Sequence, residues 1–294
     1  MTMRIKTKIG YGVIRLTAAV FALAFSMPIL VTITNSFMTG FEIQNRYTLA
    51  VSPVNYFRLL EGFPTINFVD MTLIPLWFSP SQYMELLFDH PSYFDHLWSS
   101  AVITAPSVIG QLIVAIPAAY VFEFCKWRHK EKLFFVYIVV MLMPLPVVLV
   151  PQFVVAGFMG LQESAWAIIL PAVFSPFGVF LLRQFLKTIP AEYVEAAKID
   201  GAGHTITLTA IIVPLLKPAI AALAILIFID YWNVVEQAIV FINDTRRLPL
   251  SVALSLLSTD IIFAASCFYM LPALIVFLHG QEFLVEGIQL SGIK

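Results

Sequence analysis

The stretch IPAEYVEAAKIDGAG, residues 189–203, has a proline at its second position, two glutamates near its start and two glycines among its last three residues. Pro190 suits the first turn of a helix, because its missing N–H would have no partner there. Glu192 and Glu195 follow at positions where the helix dipole favours negative charge, and Gly201 suits the end of a helix. The pattern therefore predicts a short helix between two apolar runs.

One face of this short helix would carry small side chains. Ala191, Val194 and either Ala197 or Lys198 recur at helical spacing, so another protein's groove could approach this face closely, with charged residues around it. A helix lying on the lipid surface is the alternative, but such a helix normally uses Phe, Leu or Trp. The segment has a single aromatic residue, Tyr193. These small side chains favour a protein partner.

The composition indicates an integral membrane protein. Apolar residues make up 60% of the 294 residues and charged residues 12%, with a mean hydropathy of +0.89. Soluble domains carry roughly one-half apolar and one-quarter charged residues. The implied surroundings are a lipid bilayer, and no basic cluster points to nucleic acid. Cys125 and Cys267 are too far apart in sequence to suggest a disulfide framework or a metal site.

Six runs are long enough and sufficiently free of charge to cross a bilayer, which takes about 20 residues in a helix. They are residues 16–36, 97–122, 133–158, 165–182, 208–229 and 261–278. The first is too long for a signal peptide, so we expect it to be retained. In the fifth, Lys217 lies between Pro214 and Pro218, which mark a bend. We expect an all-α membrane protein with six spans.

The distribution of Lys and Arg predicts that both termini are cytoplasmic, because short basic loops stay inside. Twelve basic residues would then lie inside: Arg4, Lys6, Lys8, Arg15, Lys126, Arg128, Lys130, Lys132, Arg183, Lys187, Lys198 and Lys294. Only Arg46, Arg58, Arg246 and Arg247 would lie outside. The chain thus divides into a cytoplasmic N-terminus (1–15), a first span (16–36), an extracellular segment (37–96), a core (97–280) with five spans and a cytoplasmic loop (188–206), and a cytoplasmic tail (281–294).

The extracellular segment contains two similar stretches. Residues 52–60 and 79–87 share Ser, Pro, Tyr and two Leu at matching positions, and each Ser-Pro pair suits a helix start. Chance similarity between two helix starts is one reading, and a small folded cap that meets an external partner is the other.

The third span contains Pro144, Pro146 and Pro151. These prolines could kink the helix only so that it packs against its neighbours, or they could mark an element that moves or lines the pathway.

Polar residues cluster at the outer end of the fifth span, where they are costly and therefore candidates for a substrate pathway. They are Asp230, Trp232, Asn233, Glu236 and Gln237. An aromatic face with amide and carboxylate groups suits the apolar face and hydroxyls of a sugar. An anchor at the membrane interface is the alternative.

The segment after the fourth span resembles the cytoplasmic coupling motif of ABC importer permeases. That motif reads Glu-Ala-Ala, three residues, Gly, nine residues, then Ile, any residue, Leu and Pro. It is matched here by Glu195, Ala196, Ala197, Gly201, Ile211, Val213 and Pro214, with Val213 in place of Leu. The run Asp200-Gly201-Ala202 is typical of the carbohydrate branch.

The similarity extends from about residue 79 to the end and looks like the shorter permease partner of maltose-type importers. It includes Tyr231-Trp232-Asn233 and Leu248-Pro249-Leu250. Residues 41–78 look inserted relative to that pattern.

The resemblance implies the permease fold of a type I ABC importer in a bacterial inner membrane, with a short cytoplasmic coupling helix. It also implies a heterodimer with a second homologous permease, two ATPase subunits and an extracellular solute-binding protein. The residues expected to couple this chain to an ATPase are Glu192, Glu195, Ala196, Ala197, Asp200, Gly201, Ala202 and Pro214. ATP and Mg would be used by the ATPases, with no cofactor bound by this chain.

No Gly-x-x-x-x-Gly-Lys-Ser/Thr phosphate loop occurs in the sequence, and neither a nucleophile nor a metal-ligand constellation is evident. We therefore expect no catalytic residue and no metal site. Two rival classes remain: a secondary transporter, which would carry ionisable residues within its spans, and a membrane enzyme. Oligosaccharides, monosaccharides and glycerol-phosphate-like solutes all remain open as substrates.

Overall fold

The computed structural model describes residues 2–48 and 74–291, and their side chains over residues 14–47 and 74–283. Every regular element within these ranges is helical, as the sequence predicts. The main helices are α1 (Thr2–Asn35), α2 (Gly40–Ile43), α3 (Ser81–Phe88), α4 (Ser92–Phe124), α5 (Lys130–Met141), α6 (Leu145–Phe158), α7 (Trp166–Val173), α8 (Pro176–Leu186), α9 (Glu192–Ile199), α10 (His204–Ile206), α11 (Val213–Leu215), α12 (Lys217–Trp232), α13 (Glu236–Phe241), α14 (Leu250–Ala253) and α15 (Ile262–Ser291).

Four stretches of the described chain are long and apolar enough to cross a membrane: Ile14–Asn35, Ser92–Phe124, Trp166–Leu186 and Ile262–Phe283. The third and fifth predicted spans are each a bent pair. The angle between α5 and α6 is 101°, and the chain bends by 78° between His204–Leu215 and Lys217–Trp232. Six crossings result if each bent pair counts as one. The sequence prediction did not foresee how sharply the third span turns.

Prolines account for both bends. Pro144 precedes α6 with an extended backbone, and a second proline occupies the first turn of that helix. Leu216 ends α11, and Pro218 lies in the first turn of α12. A proline lacks the N–H of a helical hydrogen bond and disfavours helical backbone in the residue before it. The chain can therefore turn at these points and start a new helix.

The chain forms two compact units, of which the first comprises Met1–Pro91 and Leu256–Phe268. Gln82 is its central polar contact: Nε2 donates to the carbonyls of Asn35 (2.7 Å) and Met38 (2.9 Å), and Oε1 accepts from the Ala264 amide at 3.3 Å. Tyr83 forms a hydroxyl–hydroxyl hydrogen bond with Ser36 at 2.7 Å. These contacts join α1, α3 and the start of α15.

Helix α3 is the second copy of the predicted repeat, and it begins directly after Pro80 as the sequence indicates. The first copy, with its Ser-Pro pair at Ser52, lies outside the described residues, as does much of the predicted insertion 41–78. The described part of that insertion includes Glu42. Its carboxylate accepts from the Leu76 amide at 3.0 Å and pairs with Arg46 at 3.3 Å.

The second unit comprises Ser92–Ser255 and Tyr269–Lys294. Helix α4 is its centre, because it packs against both halves of the fourth span and against α12. The larger apolar cluster includes Tyr120, Val179, Leu186, Val194 and Leu223. It thereby joins α4, α8, α9 and α12 into one core.

The fourth predicted span is interrupted between α7 and α8, and a side chain from α4 forms hydrogen bonds with backbone groups on both sides of the interruption. Pro176 has no N–H to give to the carbonyl of Ala172, four residues earlier. The Ser175 amide donates to the Ala172 carbonyl at 3.1 Å, and Gln111, which is 2% exposed, supplies a second donor. With its amide oriented by the hydrogen-bond pattern, Gln111 donates to the Ala172 carbonyl and accepts from the Gly178 amide, both at 3.3 Å. Gly178 allows this approach, because a Cβ there would lie 3.0 Å from that of Ala115.

Replacing Gln111 by leucine should destabilise the unit, because the buried Gly178 amide would lose its partner and the Ala172 carbonyl would lose one of its two donors. We expect a loss of about 1–3 kcal/mol, seen as a lower melting temperature of the purified protein in detergent. Gln281→Leu is the matched control, since Gln281 is exposed and its amide donates only to the Leu278 carbonyl at 3.3 Å. Equal melting temperatures for the two variants would contradict this role.

Candidate functional site

Helix α9 lies at the position of the predicted coupling helix and ends as the sequence predicts. Gly201 has φ +81°, a backbone conformation that favours glycine. The Ala202 amide donates to the Ala197 carbonyl at 2.9 Å, and the Gly201 amide donates to that of Lys198 at 3.1 Å. This pair of bonds is the Schellman motif, which satisfies the last carbonyls of a helix. The role of Gly201 as a helix stop is confirmed.

The exposed face of α9 differs from the predicted one. Val194 and Ala197 are buried, and Val194 packs into the larger apolar cluster of the second unit. The expectation that these small residues face a partner is therefore wrong; they hold the helix against its own chain. The side chains that remain available belong to Glu192, Tyr193, Glu195, Ala196, Lys198, Ile199 and Asp200.

Ile199 is the residue that sequence reasoning missed on this helix. Its side chain is 86% exposed, at the end of a helix on which Val194 and Ala197 are buried and Tyr193 is the other large exposed apolar residue. An exposed isoleucine beside two glutamates is an apolar anchor with a polar rim, which is the composition of many interface centres. The signal was available in the sequence, since Ile199 lies five residues after Val194 and so falls on a different face.

Two hydrogen bonds fix the chain that follows α9. Thr207 donates from Oγ1 to the Gly203 carbonyl at 3.0 Å, and Tyr120 of α4 is hydrogen-bonded through its hydroxyl to Nδ1 of His204 at 3.1 Å. A π-helical turn, Thr207–Ile212, then leads to Pro214 in α11 and the bend at Leu216. Residues from α9 to Pro214 thus form one connected segment.

Arg183 joins three helix ends near α9. The side chain is buried in α8, and its Nε donates to Glu123 at 3.1 Å while Nη2 donates to Glu131 at 2.6 Å. Its guanidinium carbon lies 3.9 Å from the ring centre of Phe134. The sequence treated Arg183 only as a loop cation, because its two glutamates lie 52 and 60 residues away.

The predicted pathway residues at the end of α12 do not share one environment. Trp232 is buried and donates from Nε1 to the Tyr269 carbonyl at 3.1 Å, and it stacks between Phe228 and Tyr269. Asn233 accepts from the Tyr269 hydroxyl at 2.6 Å. These two side chains join α12 to α15, so their contacts are structural. Gln237 is buried, whereas Glu236 is exposed.

Asp230 lies instead in a cavity of about 310 Å³, lined by Gln111, Ser175, Phe177, Leu226, Ile227, Asp230 and Tyr231. Its side chain forms no hydrogen bond or ion pair with any residue that the structure describes. The cavity combines a carboxylate, an amide, two hydroxyls and aromatic rings. Gln111, Ser175 and Tyr231 were missed by sequence reasoning, because only the break in the fourth span brings Ser175 beside α4 and α12.

No three His, Cys, Asp or Glu side chains converge as metal ligands in the part of the chain that the structure describes. Cys125 and Cys267 are both free thiols. Among the described residues, the polar groups of the cavity and the exposed face of α9 are two candidate sites.

Residues 111–285 match the family described as binding-protein-dependent transport system inner membrane component. The chain is 28% identical over 274 residues to the arabinooligosaccharides transport system permease protein AraQ of Halalkalibacterium halodurans, covering 91% of this chain and 90% of AraQ. It is 30% identical over 205 residues to the osmoprotective compounds uptake permease protein GgtD of Synechocystis sp., covering 67% of this chain and 69% of GgtD.

The fold is similar to that of a chain in the crystal structure of a bacterial ABC transporter involved in the import of the acidic polysaccharide alginate. The TM-score is 0.74 at 22% sequence identity, and the superposition covers 92% of this chain and 95% of that chain. At this identity the likeness shows the fold alone, and it agrees with the all-helical permease fold that the sequence predicts.

Arg183→Met should destabilise the protein by about 1–3 kcal/mol, because the partly buried Glu123 carboxylate would lose its cation and hydrogen bond. Thermal unfolding in detergent measures the effect. Lys187→Met on the same helix is the control, since Lys187 is exposed. Adding Glu123→Gln to Arg183→Met should recover part of the loss; no recovery would show that Arg183 acts through packing alone.

Proposed function

Because the chain belongs to the family of binding-protein-dependent transport system inner membrane components, we propose that it forms one half of a pathway that imports a carbohydrate or a related polyol. The chain is a permease subunit and not itself an enzyme. Its relatives include permeases named for arabinooligosaccharides, osmoprotective compounds and sn-glycerol-3-phosphate. The cavity at Asp230 supports a hydroxyl-rich substrate, because its polar lining offers both donors and acceptors.

The family works with a binding protein and an ATPase, and the finer arrangement is our proposal. This chain pairs with a second, homologous permease, and the pair sits on two ATPase subunits. The observation that carries the proposal is the outer face of α9, where Ile199 and Tyr193 are exposed together with Glu192 and Glu195. An apolar anchor with acidic neighbours suits a groove in an ATPase that has basic residues at its rim.

Coupling would follow from how α9 is held. Val194 packs in the same apolar cluster as α4, α8 and α12, so a pull on α9 acts on those helices as a packed unit. The bend at Leu216 lets α12 change its direction relative to α11. Closure of the ATPases around ATP and Mg²⁺, which this chain does not bind, would then move the ends of the spans and change which side of the membrane the pathway faces.

The orientation is also a proposal, with both termini and α9 in the cytoplasm. The excess of Lys and Arg on that side supports it. Arg4, Lys6 and Lys8, near the start of α1, and Lys294 in the final tail lie outside the residues whose side chains are described. Lys130, Arg183 and Lys187 are described, and all three lie on the same side of the spans as α9 in this arrangement.

Glu195→Lys and Ile199→Ser should each reduce ATP-coupled uptake strongly, by about tenfold or more, because burying a wrong charge or removing an apolar anchor typically costs at least 2 kcal/mol at an interface centre. The measurement is substrate uptake into proteoliposomes that contain the complete importer, together with co-purification of the ATPase. Glu282→Lys is the control, because Glu282 is an exposed glutamate of α15. Full uptake and retained ATPase in both variants would contradict the assignment of α9 as the helix that binds the ATPase.

The carbohydrate assignment is tested on the binding protein that works with this permease. Thermal-shift screening should show stabilisation by saccharides or polyols, since bound ligand raises the melting temperature by mass action. A binding protein that responds only to amino acids, peptides or metal ions would contradict the substrate class while leaving the permease assignment intact.

A further inference from the structure

We propose that Asp230 makes this chain's part of the pathway selective for neutral over anionic saccharides; the inference rests on the proposed function and narrows its substrate class. Relatives' names include both neutral and acidic solutes, namely arabinooligosaccharides and sn-glycerol-3-phosphate, so the family alone does not decide between them. The charge and the lining of the cavity at Asp230 distinguish between these two kinds of solute.

The carboxylate of Asp230 belongs to a water-accessible space and not to the lipid face. It lies in the last turn of α12 with its side chain exposed, and a charged group facing hydrocarbon would be costly. The lining of the cavity also includes the Ser175 and Tyr231 side chains. Polar groups converging from α12 and the break before α8 are the arrangement expected where a membrane protein lines a water-filled path.

No cation balances Asp230 within the described residues. Lys217 begins the same helix, 13 positions earlier, which places it about 20 Å away along the helix axis. Arg183 is bound to Glu123 and Glu131, and it lies eight positions beyond Ser175, about 12 Å along α8. The residues that line the cavity include no Lys, Arg or His, so Asp230 is its only ionisable group apart from the Tyr231 phenol.

The charge of a solute determines whether the Asp230 carboxylate attracts or repels it. Sugar hydroxyls can donate hydrogen bonds to an unpaired carboxylate, which are stronger than those to neutral acceptors. A uronate or phosphate group would instead bring a second negative charge close to the first, where the low dielectric of the surroundings strengthens repulsion. Repulsion of the wrong solute is a recognised source of specificity.

Charged thiol reagents test the potential at the cavity without any substrate. In the complete importer, with Cys125 and Cys267 of this chain replaced by alanine, Ser175→Cys places a thiol in the lining. Methanethiosulfonate reagents carrying a trimethylammonium or a sulfonate group are then compared by their rates of reaction. We expect the cationic reagent to be favoured, and Asp230→Asn to lower the ratio of the two rates by about tenfold.

Two further positions keep the test decisive. Leu226→Cys, also in the lining, replaces Ser175→Cys if that variant does not assemble. Ser92→Cys is the control, because it starts α4, 19 positions before Gln111, and Asp230→Asn should leave its ratio unchanged. A ratio at the cavity that does not respond to Asp230→Asn, or a thiol that neither reagent reaches, would overturn the inference.

Uptake measurements distinguish a failure of this inference from a failure of the proposed function. Proteoliposomes with the complete importer are offered a neutral saccharide and the uronate of the same ring and size. Uptake of the neutral one alone supports both proposals, and preferred uptake of the uronate overturns the charge selection while leaving carbohydrate import standing. No uptake of any saccharide, with the reagent ratio still dependent on Asp230, would defeat the carbohydrate assignment alone.

Discussion

A backbone group in a bilayer has no water to bond with, and the second unit is built around that constraint. Pro176 breaks the fourth span and leaves the Ala172 carbonyl without its usual donor. The Ser175 amide and the Gln111 amide of the neighbouring helix both donate to that carbonyl, and Gln111 also accepts from Gly178. Because Gln111 contacts both sides of the break, α4 lies beside both halves of the span. Ser175, at this break, also lines the cavity that contains Asp230.

The same unit links its two candidate sites through ordinary packing. Val194 of α9 and Ile227 of α12 belong to one apolar cluster, and Ile227 also lines the cavity that contains Asp230. Interiors packed as densely as crystals pass on displacement instead of absorbing it. A movement of α9 can therefore be transmitted to the cavity through packed apolar side chains, without a network of polar residues.

Local patterns in the sequence predicted what depends on local physics. Six apolar runs, the proline bend near Lys217 and the stop at Gly201 each follow from a few neighbouring residues. Contacts between distant residues were beyond such reasoning. Nothing in the sequence paired Trp232 with Tyr269, and the three-way meeting at Arg183 spans about sixty residues of chain. The face of α9 was misjudged because small residues suit close approach equally well to a partner and to the chain's own core.

The residues that pack α9 against its own chain are different from those that the helix exposes. Val194 and Ala197 hold the inner surface against the chain, while Ile199 and Glu195 stand on the outer one. Substitutions on the outer surface leave the inner packing untouched, so the two can diverge independently over evolution. A permease of this design can therefore acquire a different energy-supplying subunit by altering one turn of helix, and several such permeases can share a single one by keeping that turn alike.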